Sequence, residues 1–440
     1  MVVAQSRPFR RGLAVVVMFA LLAAGCGSGS SHGSTSSGTV AASSVTTAVG
    51  ATAVPETTGS GQTAAGTPIR IGQIATVTVP GSPSSTVSKD VLTAWVKWTN
   101  AHGGVDGHPV ELFSLDDHYN PGDGVADAQQ LVKSDKVVAL VGNSAVSSES
   151  AFAADLSQSK TPVVGGVAYS AEWLTDPLFY PVGPAQPTLL YGDFYEAKTL
   201  ASINKIGIIL CNTAAVCNAS EPFFRADAKA LGLDLTSIVQ VGTPEASYTA
   251  QCLAMQQSGA TAVLIAGPPA QQIAFDCSQQ GYKPHFLVVD GVGLFPSTAK
   301  STPALNGVVG SISAFPASKE FPQTSTFFQA MKKYYPDYFS KSNLYDQLVG
   351  PTAGALAWTS GVAFAQAITN AKVAASAQVT SADVIRGLAD FHNDTLGGIA
   401  PPLTFGNGTA PNPAGKCWFV MGISDGKYIT PDGLRAQCQA

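Results

Sequence analysis

From residue 68 onward, short apolar runs alternate with stretches whose apolar positions recur at helical period. Residues 69–74 (I-R-I-G-Q-I) predict a strand, and a Pro/Gly/Ser loop follows around 80–85. Val91, Leu92, Trp95, Val96 and Trp98 then fall on one helical face and predict a helix over about 88–101. His102-Gly103-Gly104 is a helix C-cap signal, and Asp106-Gly107 is a tight turn into a strand over 110–115. The same reading predicts a helix over 122–134, a buried strand over 137–141, a Gly/Ser loop, a helix over 151–158 and a strand over 162–164. The rhythm restarts near 204, with strands over 206–210, 238–241, 262–265 and 285–289 and helices over 223–231, 250–258 and 270–280. Strands alternating with helices of this length predict βαβ units around parallel sheets. The fold class is therefore α/β, with two successive doubly wound units of similar size and no visible sequence repetition.

One later segment, 348–368, has no charged residue and is long enough for a membrane span. It also carries Gly350, Pro351, Gly354, Gly361 and several hydroxyl groups, which predicts a long buried helix packed on a sheet instead. The other apolar stretch, 13–24, is too short to span a bilayer. It follows Arg7, Arg10 and Arg11 and closes on Leu22-Ala23-Ala24-Gly25-Cys26. A basic region, an apolar region and small residues before a cut site make a secretory signal peptide over 1–25. The Cys resembles that of a bacterial lipobox, so Cys26 is expected to be lipidated and to become the mature N-terminus, on the outer face of the cell membrane. Residues 27–67 are nearly all Gly, Ser, Thr, Ala and Val and cannot bury enough apolar surface to fold. They predict a flexible tether reaching roughly 35 Å.

The remaining chain, roughly 370 residues of the 440, suggests two domains. Charged residues are 12% of the chain and the net charge is −5, with no basic stripe, so nucleic acid is not an expected partner. Beyond Cys26 there are six cysteines: Cys211, Cys217, Cys252, Cys277, Cys417 and Cys438. An even number in an exported chain suggests disulfides. Of the possible pairings the sequential one is simplest, Cys211–Cys217, Cys252–Cys277 and Cys417–Cys438; reduced, buried thiols are the alternative. No Cys/His spacing fits zinc, and no metal or cofactor is expected.

The order of elements resembles the type I periplasmic binding proteins, in particular the leucine/isoleucine/valine-binding family of ABC importers. The local likenesses are Trp98-Thr99-Asn100-Ala101-His102-Gly103-Gly104-Val105-Asp106-Gly107-His108-Pro109-Val110, Asp116-Asp117 with Asn120-Pro121, Val141-Gly142-Asn143-Ser144, Gly281-Tyr282-Lys283-Pro284 and Pro402-Leu403-Thr404-Phe405. The resemblance implies two α/β lobes joined by a three-crossing hinge. Lobe 1 would hold 68–187 and 317–400, and lobe 2 would hold 188–316 and 401–440. A ligand would sit in the cleft at the carboxyl ends of the strands, with lobe closure over it.

The loop 142–150 (G-N-S-A-V-S-S-E-S) follows a strand and opens a helix, a setting whose free N–H groups suit an anion such as an amino-acid carboxylate. Ser144, Ser147 and Ser148 can add hydroxyl contacts; equally, Ser147 or Ser148 can simply cap the helix. The resemblance places ligand contacts at Ala168, through its carbonyl, and Ser170, through its hydroxyl. Tyr169 and Trp173 would form an aromatic wall, or merely pack the lobe. Asp290 matches a position whose carboxylate pairs with a ligand ammonium, the alternative being a turn-forming Asp-Gly. The sequence departs from branched-chain binders at Gly267-Pro268-Pro269-Ala270 and at Asn218 or Glu221, where aromatics are expected.

No nucleophile elbow, P-loop or H-E-x-x-H motif occurs, so no enzyme is expected. His102, His108 and His118 near Asp116 and Asp117 read as loop polarity rather than a metal site. The expected protein is a monomeric lipoprotein that captures an amino acid or related small polar molecule for ABC permease subunits, touching the membrane only through its lipid. A ligand-sensing lipoprotein of the same fold, without transport, is the alternative; a cleft enzyme ranks below both.

Overall fold

The apolar run at the start of the body forms β1 (Ile69–Ala75), in which every residue but Arg70 is buried. Burial on both faces explains why it reads as a continuous apolar run rather than an alternating one. β1 pairs in parallel with β2 (Val110–Asp116) and β3 (Ala139–Asn143). With β4 (Val163–Gly166) and β5 (Phe179–Tyr180) they form a five-stranded sheet in the order β2-β1-β3-β4-β5. The computed structural model describes residues 64–439, apart from 79–82, 201, 213–216, 218, 243, 244, 268, 292–294 and 414. The signal peptide, Cys26, most of the tether, Pro268 and Asn218 lie outside the described residues.

The second sheet opens with β6 (Lys205–Cys211), β7 (Asp234–Val241), β8 (Ala262–Ala266) and β9 (His285–Val288), all parallel. Beyond the elements that the pattern predicts, β10 (Val309–Ile312) extends this sheet in parallel. A small ladder of β11 (His392–Asp394) and β12 (Leu403–Thr404) stands apart. The chain then returns as β13 (Cys417–Ser424), antiparallel to β10, with β14 (Lys427–Ile429) and β15 (Gln437–Cys438) antiparallel to it. The order is β14-β13-β10-β9-β8-β6-β7. The architecture is the expected pair of doubly wound lobes, with three late strands added along one side of the second sheet.

The first helix, α1 (Pro83–Ala101), begins earlier than the periodicity predicts. It ends as the sequence requires: Gly103 and Gly104 take φ of 96° and 72°, and Asp106 and Gly107 take 50° and 88°. Two positive φ values in a two-residue turn are the type I′ signature, closed here by Val105 and His108 exchanging both backbone hydrogen bonds. The uncharged segment 348–368 is not one helix. It breaks between Ser342–Val349 and Ala353–Ala371, which meet at 54°, and among the described residues no single helix is long and apolar enough to cross a membrane. Ala353–Ala371 is largely buried against α1, β3 and β4. Its buried hydroxyls cost little because Thr359 and Ser360 donate to the carbonyls of Ala355 and Leu356. Gly361 lets the Trp95 ring lie directly on the helix backbone, where a Cβ would overlap it.

The six cysteines join in the sequential pairs Cys211–Cys217, Cys252–Cys277 and Cys417–Cys438. Cys252–Cys277 bolts together helices Thr249–Ser258 and Ala270–Gln279 inside the second lobe. Cys417–Cys438 fixes β15 to β13.

Candidate functional site

The carboxyl ends of β1 to β4 carry two buried carboxylates, and these organise the loops on which most of the expected site residues lie. The first is Asp117. Its Oδ1 accepts from the Thr76 hydroxyl at 2.7 Å and its Oδ2 from the Ser148 hydroxyl at 2.5 Å. Ser148 is fully buried and, although it precedes the helix α3 (Glu149–Ser159), makes no side-chain cap bond. Its hydroxyl thus ties the loop after β2 to the loop after β3. Ser144 is also buried, and its backbone bonds to Ile74 and Thr76. The Ser147 hydroxyl is buried with no hydrogen-bond partner among the described residues.

The second carboxylate, Glu149, is the first residue of α3 and is fully buried. Its Oε1 accepts from the Asn143 amide at 2.8 Å, and its Oε2 accepts from the Ser170 hydroxyl at 2.7 Å and the Trp173 indole at 3.0 Å. Burial outweighs these three donors and raises its pKa to about 7. The helix N-terminus expected to receive a ligand carboxylate therefore already holds the chain's own acid. Ser170 is engaged by Glu149, and Trp173 packs edge-on against Phe179 at 5.1 Å inside the lobe, so it forms no wall of the cleft. Nothing in the reading of S-S-E-S singles out Glu149, because an acid in a helix's first turn is ordinarily solvated.

Asp290 and Tyr169 are brought together from opposite lobes. Asp290 follows β9 with φ of 53°, ahead of Gly291 at 69°, so it makes the Asp-Gly turn and is buried as well. Its Oδ1 accepts from the Ser313 N–H at 2.7 Å and the Thr352 hydroxyl at 2.6 Å. Its Oδ2 accepts from the Tyr169 hydroxyl at 2.9 Å and the Ser313 hydroxyl at 3.1 Å. Four donors fill a carboxylate's capacity. In this conformation the place expected for a ligand ammonium is taken by Tyr169, Ser313 and Thr352. The Ala168 carbonyl is likewise taken, by the Gln186 N–H at 3.0 Å, where α5 (Gln186–Leu200) starts. Burial raises the pKa of Asp290 and of the neighbouring Asp193, which is itself held by the Ser311 N–H at 2.7 Å.

Tyr169 and Gln186 also cap a cavity of about 210 Å³ at the carboxyl ends of β6, β8 and β9. Its walls are mainly apolar: Leu190, Leu210, Ile265, Ala266, Val288, Val289 and the Cys211–Cys217 disulfide. Of the expected ligand contacts only Tyr169 lines it; Ser144, Ser147, Ser148, Ala168, Ser170 and Asp290 do not. Gly267, one of the departures from branched-chain binders, lies on its rim, while Glu221 pairs with Arg225 at 2.7 Å instead of facing the cavity. The three loop histidines do not converge. His102 stacks on Trp98 at 4.2 Å, His108 reaches the Thr67 carbonyl at 2.7 Å, and His118 lies 3.4 Å from Asp123. Among the described residues no group of His, Cys, Asp and Glu is placed to hold a metal.

The Tyr169–Asp290 bond joins loops of the two sheets, alongside the Thr352–Asp290 bond. Tyr169→Phe removes it with little change of shape, and a bond to an ionisable acceptor is worth about 1–2 kcal/mol net. The expected result is a shift of the unliganded protein toward an open form, seen as a larger radius of gyration in small-angle scattering. An unchanged scattering curve would mean that this bond does not hold the lobes together.

Residues 68–427 match the family model described as periplasmic binding protein. A search of the curated proteins gave no match. Among solved structures, a leucine binding protein from Thermotoga maritima is similar at 17% identity and TM-score 0.65, covering 84% of this chain and 98% of that one. A solute binding protein from R. palustris, in complex with benzoate, is similar at 12% identity and TM-score 0.66, covering 84% and 98%. A fatty acid ABC transporter substrate-binding protein from Thermomonospora curvata is similar at 17% identity and TM-score 0.66, covering 85% and 93%. These likenesses establish the fold, and the family match covers most of the chain. The chain belongs to the periplasmic binding protein family, type I in fold.

Proposed function

We propose that this protein is an exported lipoprotein, anchored through Cys26, that captures one small molecule between its lobes and presents it to the permease subunits of an ABC importer. The observation that carries the reading is the cavity at the ends of β6, β8 and β9, capped by Tyr169 and Gln186. Strand ends of open α/β sheets are where such folds bind ligands, and a cap from the opposing lobe is what closure provides. The protein acts as a monomer and performs no chemistry on its ligand. The ligand class proposed from the sequence is an amino acid or related small polar molecule, and the geometry amends it in one respect: the seat is mainly apolar. An amino acid bound here would place an apolar side chain in that seat, and its ammonium would displace the Tyr169 hydroxyl from Asp290.

The test is a thermal-shift series on the mature chain with amino acids, amides, small carboxylates and polyols. A ligand that prefers the folded state must raise its melting temperature, by about 2.7 kcal/mol of stabilisation at a hundredfold excess over Kd. A rise confined to one class is the expected result and identifies the ligand. No rise with any class would overturn small-solute capture.

A further inference from the structure

We propose that the Cys211–Cys217 disulfide is a ligand-contacting wall, and that the ligand part seated against it is an uncharged apolar body the size of one ring or a short branched chain. The inference rests on the solute-capture reading and deepens it. Of the three disulfides only this one lines the cavity. Cys252–Cys277 is enclosed in the core of the second lobe, and Cys417–Cys438 joins β13 to β15.

The chain is built to bring this disulfide to the cavity. Cys211 is the last residue of β6, beside Leu210, so its side chain stands at the strand end that opens on the cleft. Gly267, just past the parallel end of β8, has φ of 97°, and a Cβ there would lie 2.5 Å from the Cys211 Sγ. Only glycine leaves room for the sulfur in that backbone conformation. Disulfide sulfur is polarisable and uncharged, a surface suited to aliphatic and aromatic groups.

Size sets the class. A cavity of roughly 150 Å³ lined by aliphatic and aromatic groups takes a benzene. The 210 Å³ here takes one such ring with a small substituent, or a branched chain of similar bulk. Among the lining residues none carries a formal charge, so a charged head must lie outside the seat, toward the cleft mouth. An amino acid and its amine-free counterpart both satisfy this, so the apolar body is what they share.

The experiment measures Kd by calorimetry on the mature, oxidised protein with L-leucine, L-phenylalanine, 4-methylpentanoate and 3-phenylpropanoate. The last two are the first two without the ammonium. The same titrations are run on C211A/C217A, on C252A/C277A as the control for a disulfide lost away from the cavity, and on A266F, which keeps every disulfide and fills the seat. The expected result is that at least one probe binds the wild type, about tenfold or more weaker in C211A/C217A because several carbon-sulfur contacts are lost. The same probe should stay within about twofold in C252A/C277A and be lost in A266F. A preference for the amine-bearing pair would identify an amino-acid ligand, and a preference for the other pair a carboxylate. Equal affinity in the wild type and C211A/C217A would overturn the disulfide wall while leaving solute capture standing. Should C211A/C217A fail to fold, binding undiminished in A266F would overturn the seat, and binding lost there would support it. Binding of none of the four probes would overturn the apolar class, and a hit elsewhere in the broader thermal-shift panel would then show that capture itself survives.

Discussion

Asp290→Ala is expected to lower unfolding stability by roughly 3 kcal/mol, more than any conservative change on the strand-end loops. The mutation removes the acceptor for four donors at once: the Ser313 N–H and the hydroxyls of Ser313, Thr352 and Tyr169. A buried donor left without a partner costs about 1–3 kcal/mol. Not all four are stranded, because Ser313 and Thr352 hydroxyls already lie 2.8 Å apart and can satisfy each other. The loss falls on the Ser313 N–H, which has nowhere to turn, and on the Tyr169 hydroxyl. Asp290→Asn separates the causes. Its remaining oxygen can keep the Ser313 N–H and Thr352, while its amide faces Tyr169, whose hydroxyl can accept. Asn should therefore be milder than Ala. Guanidinium denaturation of the three proteins checks this; an alanine variant within about 0.5 kcal/mol of wild type would mean that water replaces the carboxylate and that the hinge does not depend on it. The same variant bears on binding: an amino-acid ligand that loses no affinity in Asp290→Ala does not pair its ammonium there.

These side chains show how much of the molecule is legible in one sequence. The strands and helices of both lobes follow from apolar runs and helical spacing, because local pattern and burial coincide along β1, α1 and β6. The turn at Asp106-Gly107 and the cap at Gly103-Gly104 are equally local. The network around Asp290 is not. The donors to Asp290 come from 23, 62 and 121 residues away, so no window of sequence contains them. The cavity is hidden for a different reason. Leu210, Ile265 and Val288 continue the apolar runs of their strands, and nothing in composition distinguishes a residue that lines a seat from one that fills a core. The serines of the loops after β3 and β4 were legible as polar groups near helix starts, but their direction was not: Ser148 turns in to Asp117, and Ser170 to Glu149. β13 lies outside the βαβ rhythm, since it pairs antiparallel with β10 and lies more than 100 residues beyond it in the chain.

The second large effect is a pH dependence carried by Glu149. Its pKa in the folded protein is about 7, against 4.5 for the ordinary side chain. Between those two values the folded chain holds a proton that the unfolded chain has released. Stability therefore falls as pH rises through this window, and the contribution is fully present below about 4.5 and lost above about 7. A shift of this size corresponds to about 3 kcal/mol at most. Asp127, Glu196 and Asp227, also raised to about 7 by burial, slope the same way, so the wild-type curve alone does not isolate one group. Glu149→Gln does, because it keeps the bulk of the side chain and cannot ionise. The expected result is that the loss of stability between pH 5 and pH 8 is smaller in the variant by about 2–3 kcal/mol, read from denaturation midpoints at each pH. The variant will also be weaker at low pH, since its amide nitrogen cannot accept from Asn143, Ser170 or Trp173, whereas both oxygens of the protonated acid can. It is the difference between the two slopes that reports ionisation. Equal slopes would mean that three donors hold Glu149 charged across the whole range, and the loop after β3 would then present a fixed negative charge to any ligand carboxylate approaching it.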